Sequence, residues 1–447
     1  MNQNIEGFSK LVENIVNKAE SILIEYPLCN SCLGRMFAKY GIGLSNYDRG
    51  FTLKTLLAIK IHNEYTTNTP RREVHKILAE NGGGQIASTY RKIYGEQIEP
   101  RKCHICSGKL GETLIEAIAR EACSKLREYS ASTFLVGIVL DREILERELE
   151  IIVKHGSDST ESIKRELKRE IGKAIMETCN IQPDFAKPDV VLVISFDREF
   201  NYSISVEANP IFLTGKYWKN GRNISHIPWY TRSGGKKYPI SIQEFIEYAL
   251  KDLFEAEEVV IHAAGREDVD ARMIGSGRPL IIEVKKPKRR SVPIDQVNSV
   301  LLEKYTIAPI RVEVYSESSR REIGLIKETS KQKKKVYRVS IYSSEPVNPS
   351  ELQALEEFFS NREIKQRTPT RILRRKKDRE RRRRVYTVKT YMVSNRVFEA
   401  LIHCDGGLYV KELVHGDNGR TTPSFSEYLG KKLIPFELDV VYVEDVK

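Results

Sequence analysis

Gly265-Arg266-Glu267-Asp268-Val269-Asp270-Ala271-Arg272-Met273-Ile274-Gly275-Ser276-Gly277-Arg278-Pro279 runs directly into the apolar segment Leu280-Ile281-Ile282. Three carboxylates and three arginines stand among glycines, a composition that adds little to a hydrophobic core. Carboxylates and guanidinium groups within reach of one another set each other's ionisation, as a site of chemistry requires. A solvated turn between two strands has the same composition, so charge alone leaves both readings open. It also leaves open which of Glu267, Asp268 and Asp270 would be the working group. In an extended segment, Asp268 and Asp270 would share a face.

The chain around this stretch has 447 residues, enough for two to three domains with cores of their own. At 40% apolar and 30% charged it has the composition of a globular protein. No apolar run approaches the ~18 residues of a membrane span, and Met1–Glu6 lacks a secretory pattern. The expectation is a cytoplasmic protein without a membrane partner. The net charge of +12 is unevenly placed: Arg371–Arg384 holds ten basic residues against Asp378 and Glu380. Further clusters are Lys285-Lys286 with Lys288-Arg289-Arg290, and Lys331 with Lys333-Lys334-Lys335. Excess of this kind attracts polyanions, nucleic acid first among them.

Two C-x-x-C knuckles, Cys29-Asn30-Ser31-Cys32 and Cys103-His104-Ile105-Cys106, have the spacing that tetrahedral Zn²⁺ needs from two turns. Four thiolates close such a site, so His104 is expected beside it rather than in it. Structural zinc is therefore expected at Cys29, Cys32, Cys103 and Cys106, stapling an inserted helical segment. In a reducing compartment disulfides are disfavoured, so Cys123, Cys179 and Cys404 read as lone packed thiols.

Periodicity predicts helices over residues 1–25, 47–62, 71–81, 110–130 and 162–178, with strands at 133–140, 189–195 and 202–206. A boundary near Glu207–Pro210 separates an accessory region, 1–205, from a second domain, 206–447. There, strands and turns over 215–219 and 222–229 and strands at 258–262, 280–285, 310–314, 336–341 and 385–393 surround helices at 242–254, 294–304 and 350–359. The expected class is α+β, the second domain being built on a mixed, largely antiparallel sheet. The strand, helix, strand order with Phe134-Leu135-Val136-Gly137 resembles the THUMP domain of tRNA-modifying enzymes, over about residues 60–200.

Gly265-Arg266-Glu267-Asp268 resembles the Gly-Arg-x-Asp element of pseudouridine synthases. Lys335-Val336-Tyr337 looks like their active-site tyrosine strand, and Gly407-Leu408-Tyr409-Val410-Lys411-Glu412-Leu413 like their third motif, with Leu408 where threonine is common. Together with Gly215–Trp229, Gln366–Leu373, Val414–Thr421 and the cysteine knuckles, these elements resemble the archaeal/eukaryotic synthase family that acts on the tRNA T-loop, the tenth type. The resemblance implies isomerisation of uridines 54 and 55 by a carboxylate, Asp268, with Lys411 as its cationic partner. It also implies Tyr337 under the target base, Tyr409 lining the pocket and Arg266 beside the nucleophile, filling the gap left by a flipped-out nucleotide. Asp270 would then be structural, bonding Arg272 or backbone amides. The basic run would hold phosphates. The implied partner is tRNA, through its T-loop and arm, with no obligate protein partner and no organic cofactor. The rival pattern is Asp270…Glu283-x-Lys285, the spacing of Mg²⁺-dependent nucleases. A non-enzymatic zinc RNA-binding factor is a third reading, and it leaves the acidic stretch without a use.

Overall fold

The computed structural model describes residues 2–156, 159–329, 333–374 and 376–444. Lys331 and Arg375, members of two of the basic clusters, lie outside them. The chain divides into two compact units, Met1–Ala208 and Asn209–Lys447.

The first unit begins with five helices: α1 (Asn2–Glu25), α2 (Asn30–Arg35), α3 (Asn46–Thr66), α4 (Arg72–Gly82) and α5 (Gly84–Tyr94). Then follow α6 (Glu112–Glu128), β1 (Thr133–Leu140), α7 (Arg142–His155), α8 (Ile163–Cys179), β2 (Gln182–Pro183), β3 (Val190–Phe196) and β4 (Tyr202–Ala208). The sheet order is β2-β1-β3-β4, with β1 parallel to β2 and β3, and β4 antiparallel to β3. Strict alternation in β3 buries Val190, Leu192, Ile194 and Phe196, which pack into one apolar cluster with Ile22, Ile118, Leu126 and Ile171. Side-chain caps start several helices: Ser45 on α3, Asp141 on α7 and Ser162 on α8. Helix α7 escapes the sequence reading because dense Glu/Arg alternation masks its narrow buried stripe of Ile144, Glu148 and Ile151. Cys123 on α6 and Cys179 on α8 are joined by a disulfide. This corrects their reading as lone thiols: the two helices bring cysteines 56 residues apart in sequence to a Cα–Cα distance of 5.7 Å, a bridging distance that spacing could not reveal. Cys404 stays a free, buried thiol.

The second unit runs β5 (Ile211–Lys219), α9 (Ile242–Leu250), β6 (Glu258–Ala263), β7 (Arg272–Lys285), α10 (Ile294–Glu303), β8 (Ile310–Glu317), α11 (Arg320–Thr329), β9 (Lys334–Ser343), α12 (Pro349–Phe359) and β10 (Arg362–Arg367). It closes with β11 (Glu380–Ser394), β12 (Val397–Asp405), α13 (Val410–His415), β13 (Thr421–Thr422), α14 (Phe425–Leu429) and β14 (Leu433–Val443). One sheet takes the order β13-β10-β11-β12-β9-β14-β7-β5-β8, with β6 also on β7. Its pairings are antiparallel except β7 with β14, which touch in parallel at Arg272↔Asp439 and Met273↔Val440.

Leu280–Ile282 reads as an uninterrupted apolar run because β7 is covered on both faces there. Leu280, Ile282 and Val284 join the core with α9 and α10, while Ile281 packs with Ala264 and Ile326. A second core of Val339, Ile341, Leu355, Phe359 and Ile402 lies on the other side of the β7–β14 junction. At that junction a Cβ on Gly275 would sit 1.4 Å from the Val441 carbonyl oxygen, so only glycine lets the strands approach. Residues 222–229 form a loop, and β11 begins at Glu380, inside the basic run. No helix among the described residues is long and apolar enough to cross a membrane.

Candidate active site

The stretch Gly265–Asp270 is the loop that delivers the chain from β6 into β7 at the β7–β14 junction. Gly265 adopts φ +80°, and a Cβ there would meet Arg278 at 3.4 Å. The three carboxylates that follow have separate fates.

Glu267 turns inward, its side chain 1% exposed. Its Oε2 accepts hydrogen bonds from Tyr217 Oη at 2.8 Å and Arg278 Nε at 2.9 Å, with Lys219 Nζ 3.6 Å from Oε1. Burial alone would push this carboxyl upward; Arg278, His226 and Lys219 overcome it and hold the group at about 2. His226 is driven the other way, down to about 4 by burial. Because ionised Glu267 can only accept, Tyr217 must donate to it, and neutral His226 donates its Nε2–H to Tyr217 Oη at 2.6 Å. Lys219 Nζ donates to the carbonyls of Asp268 and Val269, 3.1 Å each, and of Ile224 at 3.2 Å. This ammonium pins the loop backbone from below, and the Ala271 N–H closes the turn onto the Asp268 carbonyl at 3.0 Å.

Asp268 turns outward, its side chain 37% exposed. Its Oδ2 lies 2.9 Å from Arg371 and 3.7 Å from Lys411. Arg371, on the turn after β10, is fixed in turn by buried Glu412 at 2.8 Å. Asp270 accepts from Lys411 Nζ at 2.5 Å; burial works against its charge, but that ammonium leaves its carboxyl below the ordinary range. This revises the sequence reading twice. Arg371, not Lys411, is the nearer cation to Asp268, and Asp270 bonds Lys411 rather than Arg272. Arg272 instead forks onto buried Asp439, 2.8 Å to each oxygen, and Arg222 and Arg338 join the same carboxylate.

A cavity of about 920 Å³ opens over the loop. Its wall includes Arg266, Asp268, Asp270, Arg371 and Lys411 together with His226, Trp229, Tyr230, Lys237 and Tyr238. Arg266 stands exposed at its edge. Tyr337 is not in the wall; it packs with Met273, Val440 and Val443 below. Burial raises its phenol above the ordinary range, Asp268 adding to the effect. Lys335, two residues earlier on β9, is buried and pulled down to about 8 by desolvation ahead of the nearby Arg278 charge. Tyr409, the cap of α13, has its backbone N–H and carbonyl both held by the buried Gln366 amide at 2.9 and 3.0 Å. Its hydroxyl accepts from Arg381 at 3.2 Å. The basic run divides here: Arg381 and Arg383 face Tyr409 and Gly407, while Arg382 and Arg384 point to the opposite, exposed face of β11.

The nuclease arrangement does not assemble. Glu283 bonds His262 at 2.7 Å and Lys285 bonds Glu258 at 2.8 Å. Asp270 precedes β7 and Glu283 lies near its far end, on the order of 30 Å of strand away.

In the first unit the Sγ atoms of Cys29, Cys32, Cys103 and Cys106 lie within 4.8 Å of one another. Cys29 and Cys106 are 3.6 Å apart, close to the ~3.8 Å edge of a tetrahedron with ~2.3 Å metal–sulfur bonds. The donor set therefore fits a tetrahedral, thiophilic ion. His104 points elsewhere, its Nε2 3.2 Å from Glu150.

The family model described as "Pus10, C-terminal" matches residues 212–444, and "Pus10 THUMP domain, archaeal" matches 118–195. A protein of Thermosphaera aggregans named tRNA pseudouridine synthase Pus10 is 46% identical over 98% of this chain and 97% of its own length. Proteins of the same name from Ignisphaera aggregans and Thermofilum pendens are 39% and 37% identical, covering 97% and 96% of this chain and 99% and 96% of theirs.

Proposed function

The chain belongs to the Pus10 family of tRNA pseudouridine synthases, and from that premise we propose that Asp268 opens the glycosidic bond of a flipped-out uridine in the tRNA T-loop, at positions 54 and 55. An Asp268 carboxylate oxygen attacks C1′ as the N1–C1′ bond breaks and uracil leaves as an anion. The base turns, C5 attacks C1′ and expels the carboxylate, and loss of the C5 proton with return of a proton to N1 gives pseudouridine. Substrate and product are isomers, so the reaction itself calls for no redox partner and no organic cofactor.

The observation that carries this reading is the setting of Asp268: a part-exposed carboxylate in a cavity wall, beside two cations, on a loop clamped from beneath. Arg371 and Lys411, 2.9 and 3.7 Å from its Oδ2, aim it. Arg266 fills the space the target nucleotide vacates and Tyr409 holds Arg381 toward the backbone, while Tyr337 supports the site from outside the cavity wall. Arg382 and Arg384 supply sequence-independent phosphate contacts. Cys29, Cys32, Cys103 and Cys106 hold a structural Zn²⁺, which supplies folding energy to the accessory region.

The test is carbodiimide mapping of pseudouridine in unmodified tRNA incubated with the wild-type chain. Stops at positions 54 and 55 are expected; modification confined to other positions would contradict the T-loop assignment.

A further inference from the structure

Helix α3 carries a pair of aromatic rings that the chemistry at Asp268 does not use. Tyr47 and Phe51 are one helical turn apart, so they share a face. They are 55% and 45% exposed, and neither belongs to the core of its unit. Their rings are nearly parallel, 22° between planes with centroids 6.4 Å apart. Both border a cavity of about 750 Å³ that Gln85, Thr89 and Lys92 of α5 also line. Lys54 also lines it, its Nζ fixed by a 2.7 Å bond to the Leu28 carbonyl.

The chemistry of this wall is selective. No carboxylate contributes to it, although the chain has 61 acidic residues. That absence makes it a poor host for a basic peptide. Hydroxyl and amide groups on α5 make it too polar for an aliphatic ligand. Flat aromatic faces beside ammonium groups and neutral hydrogen-bonding side chains are what unpaired nucleic acid requires: a surface on which a base stacks, and cations for its phosphate. The volume lies within the ~300–1,000 Å³ of ordinary ligand sites. The cavity also lies outside both stretches matched by the family models, 118–195 and 212–444.

We propose that the Tyr47–Phe51 face and its cavity hold an unpaired nucleotide of the tRNA substrate, the base against the two rings and its phosphate toward exposed Lys92. This rests on tRNA being the substrate, so binding and turnover are read separately. In the full-length chain, the double variant Tyr47→Ala/Phe51→Ala should raise KM for tRNA by about tenfold or more, with kcat at saturating tRNA within about twofold. The same variant should weaken binding of a fluorescein-labelled, single-stranded RNA pentamer by fluorescence anisotropy. Tyr47→Phe/Phe51→Tyr keeps both stacking faces and should restore both values.

An alanine pair with a wild-type thermal midpoint and unchanged KM would overturn the proposal, as would a conservative pair that fails to rescue. Should the alanine pair not fold, Lys92→Glu decides: a several-fold rise in KM supports the site and an unchanged KM rejects it. A wild-type chain that binds the pentamer through this face yet forms no pseudouridine would fault the assignment of the reaction, not of the cavity.

Discussion

Glu267 and Asp268 are consecutive residues, yet 1% of the first side chain and 37% of the second is exposed. Each meets an arginine at 2.9 Å, so the geometry of the pair does not separate them. Their surroundings do. Glu267, Arg278, Tyr217 and Lys219 form a closed network out of water, where a lost partner leaves a buried charge uncompensated. Asp268, Arg371, Lys411 and Asp270 form an open one at a cavity wall, where water screens each pair and a substrate can displace it. The buried network holds the loop still so that the open one can act, and Lys219 joins them by gripping the Asp268 carbonyl.

The largest effect on this contrast should come from Glu267→Gln, which strands Arg278 and Lys219. It should lower stability by about 3–5 kcal/mol, read as a fall in the denaturant midpoint at unchanged slope.

Acid should imitate the same loss more gently. Glu267 sits at about 2 against an ordinary 4.5, so its stabilisation is fully present above 4.5 and disappears as pH falls toward 2. His226 is held at about 4, below its ordinary 6.5, so the unfolded chain takes up a proton first and stability also falls between 6.5 and 4. Glu267 alone accounts for on the order of 3 kcal/mol. A thermal midpoint that stays flat from pH 7 to 4 would break the account, and Glu267→Gln should flatten the lower part of the curve.

Lys219→Met removes the clamp on the loop backbone and leaves three carbonyls less well satisfied. About 2 kcal/mol of stability should be lost, with kcat down roughly tenfold or more through misplacement of Asp268. Smallest in stability is Lys411→Gln, at most about 1 kcal/mol because its partners Asp268 and Asp270 are part-exposed. Its effect should appear in kcat instead, and a large drop in thermal midpoint with unchanged kcat would reverse the roles given to the two networks.

What could be read from the sequence was what lies close together in it. The cysteine knuckles, the alternation of β1 and β3 and the Gly-Arg-Glu-Asp phrase are short-range signals, and each marks a place where the structure gathers side chains. Contacts across the sheet were not legible. Arg371 looked like one more cation of a phosphate-binding run, although it reaches Asp268 more closely than Lys411 does. Asp439 carries no local signal, and it gathers three arginines only because β7, β9 and the loop after β5 bring them to β14. Lys219 left a faint trace: Tyr217 and Lys219 alternate inward on β5, and an inward lysine needs a partner. Glu267 left none, because its burial depends on Arg278 returning along β7 to meet it. The same limit hid the Cys123–Cys179 disulfide.

The division of labour between the two carboxylates is tested most directly by measuring turnover at saturating tRNA and thermal midpoint together for Asp268→Asn. The expected result is at least about a thousandfold loss of pseudouridine formation, with a midpoint within about 2 °C of wild type and tRNA affinity within a few-fold. Retained turnover, or a midpoint as low as that of Glu267→Gln, would contradict it.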